Sequence, residues 1–186
     1  MSLVEITPKR HGVLMDLAYA RDDNFTGRAV YGRAACYLHE DAEEKLRRAV
    51  ELSNALGLSL KIFDAFRPSE AQWILWGHTP DPNFLADPRR GSPHSRGAAL
   101  DLTLVDGNGD ELEMGTAFDA FTPRSHHADT SVSLEAQRNR LILLGLMTAS
   151  GWDFYKNEWW HYQLFDCRGL PVLGDADLPQ SMMTPS

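Results

Sequence analysis

The sequence predicts an α+β domain, with helices packed on a partly antiparallel sheet. Three observations lead there: helical and extended patterns alternate loosely, the best-defined strand pair is an antiparallel hairpin, and no segment repeats. At 186 residues the chain can bury about 70% of the surface its unfolded form exposes, enough for one domain with a real core. Residues 1–186 therefore read as a single domain, with its core in about 15–170 and a loose, polar tail over 174–186.

The first helix is expected over about 42–56. Asp41 and Glu44 stand at capping-box spacing, Leu46, Ala49, Leu52 and Leu56 share one face, and Gly57 stops it. "LSLKIFDAF" follows as a strand ending at Arg67-Pro68. "SEAQWILW" is a short helix opened by Ser69 and Gln72, again at capping-box spacing. Residues 78–93 hold four prolines and no periodicity, which predicts an exposed loop. "AALDLTLVDGNGDELEMG" reads as a hairpin around a glycine-rich turn. A calcium loop starting at Asp106 is excluded, because its twelfth position is Ala117 instead of Glu. The last long helix starts after Ser133 and runs to Gly151, and "EWWHYQLF" is the final strand.

Composition narrows the function. Hydrophobic residues make up 43% and charged residues 24%, as in ordinary globular domains, and no apolar run approaches the ~20 residues of a membrane helix. A net charge of -8 argues against nucleic acid as the main partner. "MSLVEITPKRHG" lacks the apolar run and cleavage site of a secretory signal, so a cytoplasmic protein is expected. Cys36 and Cys167 form no CxxC pair and are expected as buried free thiols.

The chemistry concentrates in two stretches. In "GSPHSRGAALDLTL", strand alternation points Leu100, Leu102 and Leu104 one way and Asp101 and Thr103 the other. In the final strand His161 shares a face with Trp159 and Gln163. If the two strands are neighbours, Asp101 meets His161, and the turn at Gly97 folds His94 back onto both. Two imidazoles and one carboxylate without cysteine form the ligand set of a catalytic zinc site, which keeps a fourth position for water. Glu158, three residues before His161 and walled by tryptophans, would have the raised pKa of a general base. His126 and His127 are a rival ligand pair, disfavoured because adjacent residues rarely bind one ion together; His11, His39 and His78 have no partner acids at useful spacing. Arg67 fits an oxyanion donor or a carboxylate clamp, and equally an ion pair with Asp64.

"SPHSRGAALDLTL" resembles the SxHxxGxAxD motif of zinc D,D-peptidases, and "EWWHY" their ExxH motif. With "FDAFRP", "MGTAFD" and "AQRNRLILLGLM" in between, the chain resembles the VanX-type zinc D-alanyl-D-alanine dipeptidases over about residues 15–170. The resemblance implies a small hedgehog/D,D-peptidase-like α+β fold. It also implies one Zn2+ per chain on His94, Asp101 and His161, Glu158 as base and proton shuttle, and Arg67 stabilising the transition state. It places Asp119 near the substrate's ammonium and Ser92 in the pocket lining. The implied partner is the small dipeptide D-Ala-D-Ala. A D,D-carboxypeptidase or murein endopeptidase on the same fold is the nearest alternative, weakened by the missing export signal. A non-catalytic zinc-binding interaction module is the distant one, and needs neither Glu158 nor Arg67.

Overall fold

The computed structural model describes residues 3–184. Strands β1 (Leu3–Glu5), β2 (Leu14–Met15), β3 (Tyr37–His39), β4 (Ser59–Asp64), β5 (Ala99–Val105), β6 (Asp153–Phe154) and β7 (His161–Gln163) alternate with helices α1 (Pro8–His11), α2 (Glu40–Ala55), α3 (Ser69–His78) and α4 (Leu134–Ala149). β1 and β3 form an antiparallel ribbon. The main sheet runs β2-β4-β5-β7-β6, parallel only between β2 and β4 and antiparallel elsewhere. The α+β expectation holds.

β5 is the central strand, and all seven of its residues are buried. Leu100, Leu102 and Leu104 join Leu60, Ile62, Leu46, Leu143, Met147 and Trp152 in the main core. That cluster also takes up Ala42 and Ala49 from α2 and Leu146 from α4. A second cluster, built on Tyr19, Tyr31, Phe66, Leu75 and Leu85, includes Met182 from the chain's end. Cys36 and Cys167 are buried free thiols.

Several local expectations change. α2 starts earlier than its acidic pattern suggested: His39 is the N-cap and its Nδ1 accepts from the Asp41 N–H at 3.2 Å, so Asp41 lies inside the helix. The inner face of α2 is Ala42, Leu46, Ala49, Val50 and Ser53, leaving Leu56 60% exposed beyond the helix end. α3 is longer than expected and has Pro68 at its N-cap, which offers no side-chain acceptor, so no side chain caps it; Gln72 turns inward instead. The α4 expectation holds, with Ser133 Oγ accepting from the Ala136 N–H at 3.0 Å.

The hairpin is only partly formed. After the turn at residues 106–110, the return arm contributes one bridge, Val105 to Glu111, while the long edge of β5 pairs with β4 and β7. The final strand is shorter than its aromatic run suggested, since Glu158, Trp159 and Trp160 form a turn before β7. Residues 79–93 do lack helix and strand, yet Leu85 and Ser92 are buried, so the loop is a wall and not a free surface.

Residues 174–184 are the clearest correction. They were expected as a loose tail, but Met182 is fully buried and Met183 forms a bridge with Tyr31. Asp175 holds the turn by accepting from the backbone N–H groups of Met182 at 2.7 Å and Met183 at 3.1 Å. One buried methionine and one capping carboxylate outweigh the polar composition that had suggested disorder.

Candidate active site

A cavity of about 1050 Å³ opens over the β5 and β7 end of the sheet. Its lining includes His94, Asp101, His161, Glu158, Arg67 and Asp119. Ser92 lines it too, buried, with its Oγ accepting from the His94 N–H at 3.2 Å. All the residues singled out from the sequence are therefore brought to one cavity.

The sheet register does the first part of this. Asp101 and His161 are direct partners across β5 and β7. β4 carries a bulge between Ile62 and Asp64, which puts Asp64 opposite Asp101 on the other side. An extra residue re-aims the strand beyond it, a common device beside functional sites. The turn at Gly97, with φ +65°, then folds the short helical turn His94–Arg96 onto the strand. A Cβ at Gly97 would meet Leu3 Cδ2 at 2.5 Å and the His39 nitrogen at 2.9 Å, so only glycine fits there.

The candidate ligand atoms cluster closely: one atom from each of the three residues lies within 4.8 Å of the other two, and Asp101 turns a different carboxylate oxygen to each ring. His94 Nε2 lies 3.1 Å from His161 Nδ1 and 3.3 Å from Asp101 Oδ2, and His161 Nδ1 lies 3.0 Å from Asp101 Oδ1. A tetrahedral zinc with bonds of ~2.0–2.1 Å separates its ligand atoms by ~3.3 Å. The far side of each ring fixes its tautomer. His94 Nδ1 donates to the Ala65 carbonyl at 2.7 Å, and His161 Nε2 donates to Gln163 Oε1 at 3.1 Å. Both facing nitrogens therefore present lone pairs, next to a carboxylate that is 2% exposed. Three buried donors from His94, Asp101 and His161 thus form a possible metal site. Among the described residues this is the cluster with metal-binding geometry; His127 instead packs against Phe154 and Tyr162.

Glu158 stands just outside the cluster, its Oε2 3.9 Å from His161 Nδ1. In a strand, residues three apart face opposite sides of the sheet. The turn through Trp159 and Trp160 removes that problem and sets Glu158 and His161 side by side. Burial, then repulsion from Asp101 and Asp119, pushes the Glu158 carboxyl well above its ordinary range.

Arg67 is 4% exposed and makes the expected ion pair: Nε donates to Asp64 Oδ2 at 2.8 Å, and Nη2 lies 3.5 Å from Asp101 Oδ2. Its guanidinium also sits 5.0 Å above the Tyr19 ring and faces the cavity. The ion-pair and cavity-facing readings are both realised, because a guanidinium has five N–H groups to share.

Asp119 has φ +57°, in the left-handed region that few non-glycine residues adopt. Its Oδ2 accepts from Tyr19 Oη at 2.9 Å. Burial and the negative charge of Asp101 push its carboxyl up to about 8, against the opposing pull of Arg67. Tyr19 and Tyr155 were not found by sequence reasoning. Each is a single polar residue in an unremarkable stretch, and only the folded chain brings them to the cavity.

Comparison with known proteins agrees with this geometry. The family model described as D-ala-D-ala dipeptidase matches residues 1–176. The chain is 45% identical to the D-alanyl-D-alanine dipeptidase of Escherichia coli over 161 residues, 87% of this chain and 83% of that protein. It is 36% identical to the D-alanyl-D-alanine dipeptidase of Enterococcus faecium over 177 residues, 84% of this chain and 88% of the relative. The protein of the same name from Streptomyces coelicolor is 36% identical over 176 residues, covering 82% of this chain and 86% of its own length.

Proposed function

From the premise that this chain belongs to the D-ala-D-ala dipeptidase family of peptidases, we propose that it is a zinc enzyme that cleaves the free dipeptide D-Ala-D-Ala into two D-alanines. The observation that carries the metal is the cluster of three lone-pair donors on His94, Asp101 and His161, locked by Ala65 and Gln163. A zinc ion held there would polarise a carbonyl and lower the pKa of water towards ~7.

The remaining steps belong to side chains. Glu158 takes the proton of the attacking water and returns it to the amide nitrogen as the C–N bond breaks. Its raised affinity for a proton and its position beside His161 support that double role. Arg67 directs its free N–H groups at the oxygen that gains negative charge. Fixed by Asp64, it needs no reorganisation to do so. Asp119, oriented by Tyr19, pairs with the substrate's ammonium, and Ser92 lines the pocket while bracing the His94 backbone. No helix among the described residues is long and apolar enough to cross a membrane, and we place the enzyme in the cytoplasm, where its substrate is a free dipeptide.

The test is substrate length. Acylating the amine removes the charge that Asp119 would pair and leaves a partly buried carboxylate uncompensated. Efficient hydrolysis of D-Ala-D-Ala with almost none of N-acetyl-D-Ala-D-Ala is expected. Comparable rates on both would replace the dipeptidase reading with a D,D-carboxypeptidase.

A further inference from the structure

We propose that Gln72 is a positioning residue that ties the proline-rich loop 79–93 to the Arg67 guanidinium, so that one side chain both holds this wall of the cavity and sets the oxyanion donor. The proposal rests on the role given to Arg67 above.

Gln72 lies in the first turn of α3 and is 1% exposed. A glutamine so buried must satisfy both ends of its amide, and this one does. Its Oε1 accepts from Arg67 Nη1 at 2.9 Å, and its Nε2 donates to the Ala86 carbonyl at 2.7 Å. The first bond completes the fixing of the guanidinium. Asp64 holds Nε and Tyr19 supports the face, but neither of them restrains Nη1. The second bond reaches the middle of loop 79–93, where Phe84, Leu85, Ala86 and Asp87 line the cavity.

Other contacts hold the loop as well: Leu85 is buried in the second core cluster, and Arg96 Nη2 donates to the Arg90 carbonyl at 3.3 Å. Tyr155 Oη and Asn157 Nδ2 donate to the Asn83 carbonyl at 2.9 and 3.1 Å, and Phe84 stacks on Phe121 at 5.2 Å. Those contacts hold its first half. Gln72 is the side chain that reaches Ala86, next to the stretch ending at Gly91.

Two substitutions separate the two bonds. Gln72→Met keeps the volume but makes neither. Gln72→Glu keeps an acceptor for Arg67, but its ionised carboxylate cannot donate to Ala86. Turnover of D-Ala-D-Ala and amide hydrogen exchange of residues 81–91 would be measured on the zinc-loaded full chain. Gln72→Met is expected to lose exchange protection in the loop and to lower kcat by about 10- to 100-fold, the scale of a ~1 Å misplacement, with zinc content unchanged. Gln72→Glu should leave the loop unprotected and raise KM, yet recover most of kcat. Wild-type kcat and protection in Gln72→Met would overturn the proposal. So would a Gln72→Glu enzyme as slow as Gln72→Met, since the acceptor for Arg67 would then not set the rate. Arg67→Ala is run beside them, with a loss of about 10²–10³-fold in kcat expected. Full turnover by Arg67→Ala would refute the role of Arg67 itself, which distinguishes failure of the premise from failure of the Gln72 assignment.

Discussion

Replacing Arg140 with methionine should destabilise the protein more than any loss of a surface charge. Arg140 sits on α4, is 1% exposed and, among the described residues, has no carboxylate within ion-pair distance. Its guanidinium instead donates to three backbone carbonyls: Nε to Met114 at 2.7 Å, Nη1 to His126 at 2.9 Å and Nη2 to Arg124 at 2.9 Å. Asn139 adds a fourth tie, Nδ2 to the Glu113 carbonyl at 2.9 Å. Residues 113–126 have no strand or long helix of their own, so these bonds are what fasten the segment to α4.

A hydrogen bond to a charged group contributes ~1.5–3 kcal/mol. Three at the lower limit, offset in part by relief of the guanidinium's desolvation, give about 3–4 kcal/mol, close to what breaking a buried charged network costs. Total stability for a domain of this kind is about 5–15 kcal/mol, so the variant stays folded with little margin. With a urea slope of ~2 kcal/mol/M, the unfolding midpoint should fall by about 2 M. Arg140→Lys should recover less than half, because one ammonium cannot serve three carbonyls spread around a planar fork. Since the segment presents Asp119, KM for D-Ala-D-Ala should rise by about tenfold in the folded variant. A midpoint shift under ~0.5 M for Arg140→Met would refute the reasoning: the carbonyls would then have found water without cost.

The wild-type protein should hold about one zinc per chain by elemental analysis, and His161→Ala close to none; equal content in both would refute the ligand assignment. Glu158→Gln should keep its zinc and lose about 10²–10⁴-fold in kcat, whereas loss of metal would make Glu158 a ligand. Burial, then the charge of Arg140, lowers the pKa of His127 to about 4, below its unfolded value of ~6.5. Below pH 6.5 the unfolded chain takes up the proton first, so this group costs stability progressively as pH falls to about 4. Between pH 7.5 and pH 5 that amounts to about 1–2 kcal/mol in urea unfolding. His127→Phe should remove that slope, and an unchanged slope would show that other groups cause it.

Much of this was legible in advance, for physical reasons that differ by element. α4 could be read from Ser133 to Gly151 because cap, periodicity and stop signal agree. β1, β2 and β6 could not, because strands of two or three residues are too short to show a period. "EWWHYQLF" was read as one long strand because tryptophan and tyrosine favour sheets. The fold instead bends it, burying Trp159 and Trp160 in the main core. Tertiary packing thus overrides local preference at the position where a regular strand would have turned Glu158 away from His161. The pairing of Asp101 with His161 was legible because alternation alone fixes which face each residue takes, while the bulge at Phe63 leaves no sequence signal. Gln72 was noticed and misread: its spacing from Ser69 matched a cap, and spacing does not reveal which way a side chain turns.

The charges at the reacting end of the cavity give one reason why metal and free amine belong together. Asp64, Asp101, Asp119 and Glu158 are gathered around a single guanidinium, that of Arg67. Full ionisation of these four carboxyls would leave a surplus of negative charge. The carboxyls least well paired are Glu158 and Asp119, whose affinity for a proton is raised by burial and by repulsion from Asp101. A divalent cation at the cluster and an ammonium at Asp119 would together balance the surplus. Each makes the other's site less costly, because both act on the same buried carboxylates through a low local dielectric. An N-acylated peptide brings no such charge, and its cost falls where the cavity is least able to bear it, at Asp119 against Asp101.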